Sequence, residues 1–358
     1  MRHKQQPDPD KSSPLRIVPF LFLAVLGFLF FLDISVGSVT IPLKQVVSIL
    51  FGGEGEKASW EKIIFLFRLP KAVTAVLAGA ALSVSGLQMQ TLFRNPLAGP
   101  AILGIGAGAS LGVALVVLTA ASGGGAAFLT GLGLGGDMGI VAAASLGSGL
   151  VLLLVLLVSK KVQSVITLLI LGMLFGYATN ALVSVLIHFS VAEKIHAYIS
   201  WTFGTFSGTT WSQLRVFIPM LSAGLVATLF AGKTLNALLL GEEYARSMGL
   251  RIEHARIMLI ITTALLTGTV TAFCGPIAFL GVAVPHLCRS LFNTTDHRVL
   301  LPASIVVGGI LALLADLISQ LPGSQNLLPL NSVTALIGTP VIVWIILRKQ
   351  NLRETFTS

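Results

Sequence analysis

Ionisable side chains are scarce in this chain of 358 residues, and two of them fall inside long apolar runs: His188 and Asp316. Carboxylates and imidazoles in such positions are the groups with which pumps and ion-coupled carriers relay protons or sodium. Neither has an obvious partner in the sequence, so ion-coupled transport has little to work with. No His-Glu-x-x-His pattern, carboxylate pair or His-rich motif supports an enzyme, and no catalytic residue, cofactor or metal ligand is expected. Cys274 and Cys288 lie in apolar sequence outside any Cys-x-x-Cys motif and read as small buried hydrophobes. The stretch Ala227-Thr-Leu-Phe-Ala-Gly-Lys-Thr234 resembles the phosphate-cradling pattern G-x-x-x-x-G-K-[ST], with Ala227 in place of the first glycine. That loop binds through backbone N–H groups that follow a strand. Here an apolar helix precedes it, and Lys233 reads as an anchor on the inner side of a membrane.

The elements that must position these groups are membrane helices. Hydrophobic residues make up 54% of the chain, charged residues only 10%, and mean hydropathy is +0.91. Soluble domains carry about 25% charge, so composition excludes a soluble globular protein, and apolarity excludes a disordered one. Uncharged stretches long enough to approach a span begin at Ile17, Ala72, Asn95, Met138, Val162, Val216, Ile257, Val299 and Leu317. Gly275-Pro276 splits the seventh into one span ending near Cys274 and a short one from Ile277 to about Phe292. The third holds a span to about Ala120, followed by a Gly/Ala/Ser-rich connection around Ser122–Gly125, and Pro322, Gly323 and Pro329 mark a loop before the last. The reading is an all-α polytopic membrane protein of about ten transmembrane helices. The first stretch is a retained helix, because Asp33-Ile34-Ser35 follows it instead of a cleavage site.

The net charge of +9 sits between the apolar runs, the usual source of a high pI in membrane proteins, and carries no nucleic-acid signature. With the N-terminus inside, seven Lys and Arg (Lys44, Lys57, Lys62, Arg68, Lys71, Lys194, Arg215) fall outside and the other sixteen inside. Both termini are therefore expected in the cytoplasm. The domain reading is a tail over 1–15, one transmembrane domain over 16–348 with a cytoplasmic connection over about 233–256, and a tail over 349–358.

That connection contains Leu238–Leu250, which has helical propensity, with Glu242 and Glu243 in its first turn and Gly249 as a candidate C-cap. Leu240, Tyr244 and Met248 recur every fourth residue beside charged Glu242, Glu243 and Arg246. Two readings fit: a helix lying on lipid, or a docking helix for a soluble partner. Gly172, Gly176, Asn180, Ser184 and His188 form a second stripe at helical spacing. Helix packing accounts for its glycines. Asn180 and Ser184 facing lipid would be costly, so they require protein or water, and a translocation pathway is the preferred reading. The row Gly104, Gly108 and Gly112 reads as packing, and His286 and His297, beside basic residues, as inside-facing interface groups.

Ordered motifs over residues 60–348 resemble FecCD-type permeases. They run Arg68-Leu-Pro-Lys71, Gly86-x-x-x-Gln90, Arg94-Asn-Pro-Leu-Ala98, Trp201-x-x-Gly204, Gly241-Glu-x-x-Ala245-Arg-x-x-Gly249, Gly275-Pro-Ile-x-Phe279-x-Gly281, Pro285-His286-x-x-Arg289, Leu314-Ala-Asp316 and Gly338-x-Pro340. The resemblance implies a type II ABC importer permease for an iron chelate of siderophore type, with haem or cobalamin as the alternative cargo. A stand-alone secondary transporter is the alternative from another class. It implies two copies of the permease in the bacterial cytoplasmic membrane, a pair of ATPase subunits below, and a periplasmic or lipid-anchored substrate-binding protein above. Gly241, Glu242, Glu243, Tyr244, Ala245, Arg246 and Gly249 then match the segment that couples to the ATPase. Arg68 and Lys71, which could equally anchor the membrane interface, match basic residues that meet acidic groups of the binding protein. Some relatives carry a further Arg after Leu-Ala-Asp, where this chain has Gln320.

Overall fold

A computed structural model describes residues 13–37, 39–119, 136–159, 161–162, 164–320 and 327–350. Among these the chain is helical, with no strand. The order is α1 (Ser13–Ser35), α2 (Leu43–Leu50), α3 (Ala58–Ile63), α4 (Leu69–Leu92), α5 (Ile105–Val117), α6 (Asp137–Ser159), α7 (Val165–His188) and α8 (Ala192–Thr202). Then come α9 (Trp211–Phe230), α10 (Gly232–Leu239), α11 (Glu242–Ser247), α12 (Ile252–Cys274), α13 (Leu280–Phe292), α14 (His297–Ser319) and α15 (Leu330–Gln350). Six helices are long and apolar enough to cross a membrane, and four shorter apolar ones join them among the described residues. The connection Ser122–Gly125, the loop at Pro322 and Gly323, and most of both tails lie outside the described residues.

α4 forms the axis of the molecule, buried along nearly its whole length against α9, α12, α13 and α14. Small residues permit that approach. A Cβ on Gly86 would stand 1.6 Å from the Gly281 carbonyl oxygen of α13, and one on Gly79 2.2 Å from the Gly308 carbonyl oxygen of α14. Lipid supplies no hydrophobic drive between helices, so close van der Waals contact of this kind holds them together. A polar knot stiffens the same core. The Gln88 amide donates to Thr228 (2.8 Å) and Thr262 (3.1 Å) and accepts from Thr263 (2.7 Å).

Two expected spans differ in form. The stretch expected to cross from Asn95 to about Ala120 bends at Asn95, makes a 3₁₀ turn over Pro100–Leu103, and runs as α5 only from Ile105. The stretch from Val162 ends at His188, and a separate α8 follows it. The split at Gly275 is present, with φ +74° closing α12.

Candidate functional site

Three regions carry the polar chemistry. The first lies where α1, α4 and α14 meet. A π-helical turn over Ile64–Arg68 joins α3 to α4 and turns Arg68 toward the end of α1. Its guanidinium donates to the carbonyls of Ile34 (2.8 Å), Ser35 (2.9 Å) and Val39. The last carbonyls of a helix have no partner within it, and here one arginine supplies it. One turn on, the Lys71 ammonium contacts both Asp33 oxygens at 3.2 Å and Asp316 Oδ2 at 2.7 Å. Gln320 Nε2 closes the cluster by donating to Asp33 Oδ1 (3.1 Å) and Asp316 Oδ2 (2.7 Å).

This geometry corrects the sequence reading twice. Asp316, expected without a partner, has two of opposite or complementary polarity. Arg68 and Lys71, expected at an open rim, are each only 6% exposed and spend their hydrogen bonds inside the chain. Gln320, the departure from the family pattern, bridges the two carboxylates. Asp33 was the missing member, and its signal was a lone acid closing the first apolar run.

The second region is the α7 stripe, which the structure divides. Gly172 is buried, and a Cβ there would meet the Ile102 carbonyl oxygen at 2.5 Å and Leu103 Cα at 3.2 Å, while Gly176 is half-buried beside Gly104. Asn180, Ser184 and His188 are exposed, and the His188 ring rests against Phe189 at 5.0 Å. Much of the surrounding α7 surface is also uncovered, including Tyr177, Leu182 and Val185. In the glycine row, Gly108 and Gly112 pack against Gly147 and Ala143 of α6.

The third region is the connection from α9 to α12. The helix expected from Leu238 breaks at Gly241 (φ +107°), and α11 spans only Glu242–Ser247. Its end is closed by Gly249 N–H to Arg246 (2.9 Å) and Leu250 N–H to Ala245 (3.0 Å), with Gly249 at φ +86°. That pairing satisfies the free carbonyls of the last turn and requires the left-handed residue that glycine tolerates. The expectation for Gly249 therefore holds, although the helix it closes starts at Glu242 and not at Leu238. Arg256 pins the segment from below, donating to Glu242 Oε1 (3.2 Å) and to the Val162 carbonyl (3.1 Å). Ala245 is buried, whereas Leu240, Tyr244 and Met248 are exposed, and the Glu243–Arg246 pair at 4.0 Å is solvated. Beside them opens a cleft of about 690 Å³ lined by Phe93, Arg94, Ser164, Ile166, Glu242 and Glu243.

The histidines expected at the inner interface are instead interior. His286 Nε2 donates to the Pro96 carbonyl (2.7 Å), and the His297 ring lies between the Thr91 hydroxyl and Asn236 Oδ1, each at 2.8 Å. Just outside, the Asp296 carboxyl is held below its ordinary range, first by the Arg298 backbone N–H and then by the Asn236 amide. Cys274 and Cys288 are free and buried, as expected. The near-miss phosphate loop is helical on both sides, α9 ending at Phe230 and α10 starting at Gly232.

The model of the FecCD transport family matches residues 25–348. A vitamin B12 import system permease protein from Salmonella newport is 36% identical over 317 residues, covering 87% of this chain and 93% of that protein. The Klebsiella pneumoniae counterpart is 36% identical over 298 residues, covering 83% and 86%. A solved structure of a metal-chelate type ABC transporter in an inward-facing conformation superposes with a TM-score of 0.80 at 27% identity, covering 93% of this chain and 99% of that one.

Proposed function

The chain belongs to the FecCD transport family, and from that premise we propose that it carries a metal chelate across the bacterial cytoplasmic membrane, with cobalamin as the first cargo to test. It is an ABC importer permease, and the energy for such a subunit comes from a separate ATPase. The vitamin B12 permeases at 36% identity support the cobalamin reading. An iron chelate of siderophore type is the second reading, favoured by the metal-chelate transporter with the same fold.

The observation that supports the mechanism best is the posture of α11. Its buried Ala245 and the Glu242–Arg256 ion pair hold it rigidly against α12, while Tyr244, Glu243 and Arg246 face outward. A rigid, exposed segment transmits displacement, so in this proposal the ATPase pushes on α11 and α12 carries the motion into the core. Gly241 and Gly249 set the two bends that bound it. The uncovered α7 face, with Asn180 and Ser184, lines the pathway where a second copy of the permease meets the first. Docking of a substrate-binding protein belongs to the end that holds Arg68 and Lys71. These two residues serve it by fixing the backbone of that rim. In the domain reading, 16–348 is the permease unit, 233–256 its coupling connection, and 1–15 and 349–358 are cytoplasmic tails.

Reconstituted vesicles containing the permease, its ATPase and its binding protein test the proposal. ATP-dependent uptake of labelled cobalamin is expected, and Tyr244→Ala should abolish it while leaving the permease folded. Uptake of a ferric siderophore in place of cobalamin would select the second reading. Uptake that persists without ATP would overturn both.

A further inference from the structure

We propose that the cleft where α9 ends and α10 and α14 begin binds the phosphate of an anionic phospholipid headgroup. The cleft encloses about 330 Å³, and its lining includes Leu229, Phe230, Lys233, Arg298, Leu301 and Pro302. Lys233 and Arg298 reach it from two different helices, both are exposed, and neither takes part in an ion pair among the described residues. The neighbouring carboxylate is already committed. Asp296 accepts from Asn236 Nδ2 (2.6 Å) and from the Arg298 backbone N–H (2.9 Å), and it does not line the cleft. His297, only 1% exposed, forms a fixed wall, held by Thr91 and Asn236.

The apolar rim decides which phosphate fits. Phe230 is 84% exposed and Leu229 46% exposed at the end of a membrane helix. Acyl chains cover such side chains, whereas inorganic phosphate or a nucleotide would satisfy the two cations and leave the rim in water. Basic clefts between helices on the inner side of a membrane suit anionic headgroups. This also gives the stretch Ala227–Thr234 a role. Its glycine and lysine form no nucleotide loop, because the backbone is helical on either side. They place one ammonium at a helix start beside lipid. The inference rests on the membrane embedding of the chain and on neither its cargo nor its ATPase.

The test is native mass spectrometry of the full-length permease in mild detergent, with phosphatidylglycerol and phosphatidylcholine of matched acyl chains. The wild type should retain phosphatidylglycerol preferentially. Lys233→Gln and Arg298→Gln should each weaken retention about fivefold, and the pair about 25-fold. Lys233→Arg should preserve it, which controls for folding. Equal retention by wild type and the double variant would overturn the site. Displacement of the lipid by excess inorganic phosphate or ATP would assign it to a soluble anion. A double variant that keeps its lipid but no longer binds the ATPase would assign the cations to a protein contact.

Discussion

α12 and α7 are a matched pair with opposite fates. Their apolar stretches, Ile252–Cys274 and Ile166–His188, are each 23 residues long and of similar hydropathy, yet over an apolar window of 18 residues 72% of the first is buried within the chain and only 17% of the second. Polar groups distinguish them. In α12, Thr262 and Thr263 bond the Gln88 amide of α4, while the Thr267 and Thr269 hydroxyls are buried within the chain without a side-chain partner among the described residues. In α7, Gly172 packs while the Asn180 amide, two turns on, finds no partner among the described residues. Hydropathy measures whether a helix can leave water. It does not say whether lipid, a second chain or a pathway will cover it; an amide on the exposed face, such as that of Asn180, argues against lipid.

The comparison breaks most severely if the covered side proves tolerant. Lys71→Met strands Asp33 and Asp316 without their cation and should cost about 3–5 kcal/mol, read as the unfolding midpoint in denaturing detergent. Adding Asp33→Asn and Asp316→Asn should recover much of that loss, and a failure to recover would remove the ion pairing as its cause. Gly86→Val drives a side chain into the α13 backbone and should cost about 1–3 kcal/mol or more by the same measurement; a neutral outcome would mean that α13 can slide. On the uncovered side, Asn180→Cys should leave stability within about 0.5 kcal/mol and react with a water-soluble maleimide in membranes. Gly172→Cys should stay unreactive, and equal labelling of the two would erase the division of the stripe. The smallest effect concerns Asp296, whose folded carboxyl titrates below its unfolded range. Its contribution is complete above the unfolded pKa of about 4 and is lost as pH falls through the lower folded value. Asp296→Asn should therefore lower stability slightly near neutrality and flatten the acid limb of the profile, its difference from the wild type vanishing at low pH.

The helical class, the break at Gly275-Pro276, the left-handed Gly249 and the buried cysteines were legible because each is encoded within a few neighbouring residues. The ionic cluster of Asp33, Lys71 and Asp316 was not. Asp33, Lys71 and Asp316 are brought together by tertiary packing, and no spacing rule links residues so far apart. Gln320 read as a missing arginine, although it supplies the amide that two carboxylates share. α5 was overextended because apolarity runs unbroken through Pro100–Gly104, and only the 3₁₀ turn and the left-handed Gly104 (φ +73°) reveal where the helix starts. His286 and His297 were misplaced by their basic neighbours, since a sequence shows what is adjacent along the chain and not what lies behind a ring.

The ionic cluster also has a history in time. Asp33 and Lys71 leave the ribosome within the first 71 residues and form an electrically neutral pair, so α1 and α4 can enter the bilayer as a hairpin without carrying a bare charge. Asp316 arrives only when nearly the whole chain has been made, and it adds a second acid to a lysine already in use. Gln320 follows four residues later and ties both acids together. Assembly of this membrane protein thus has a natural late step, in which α14, with only α15 of the described helices still to follow, locks onto α1 and α4.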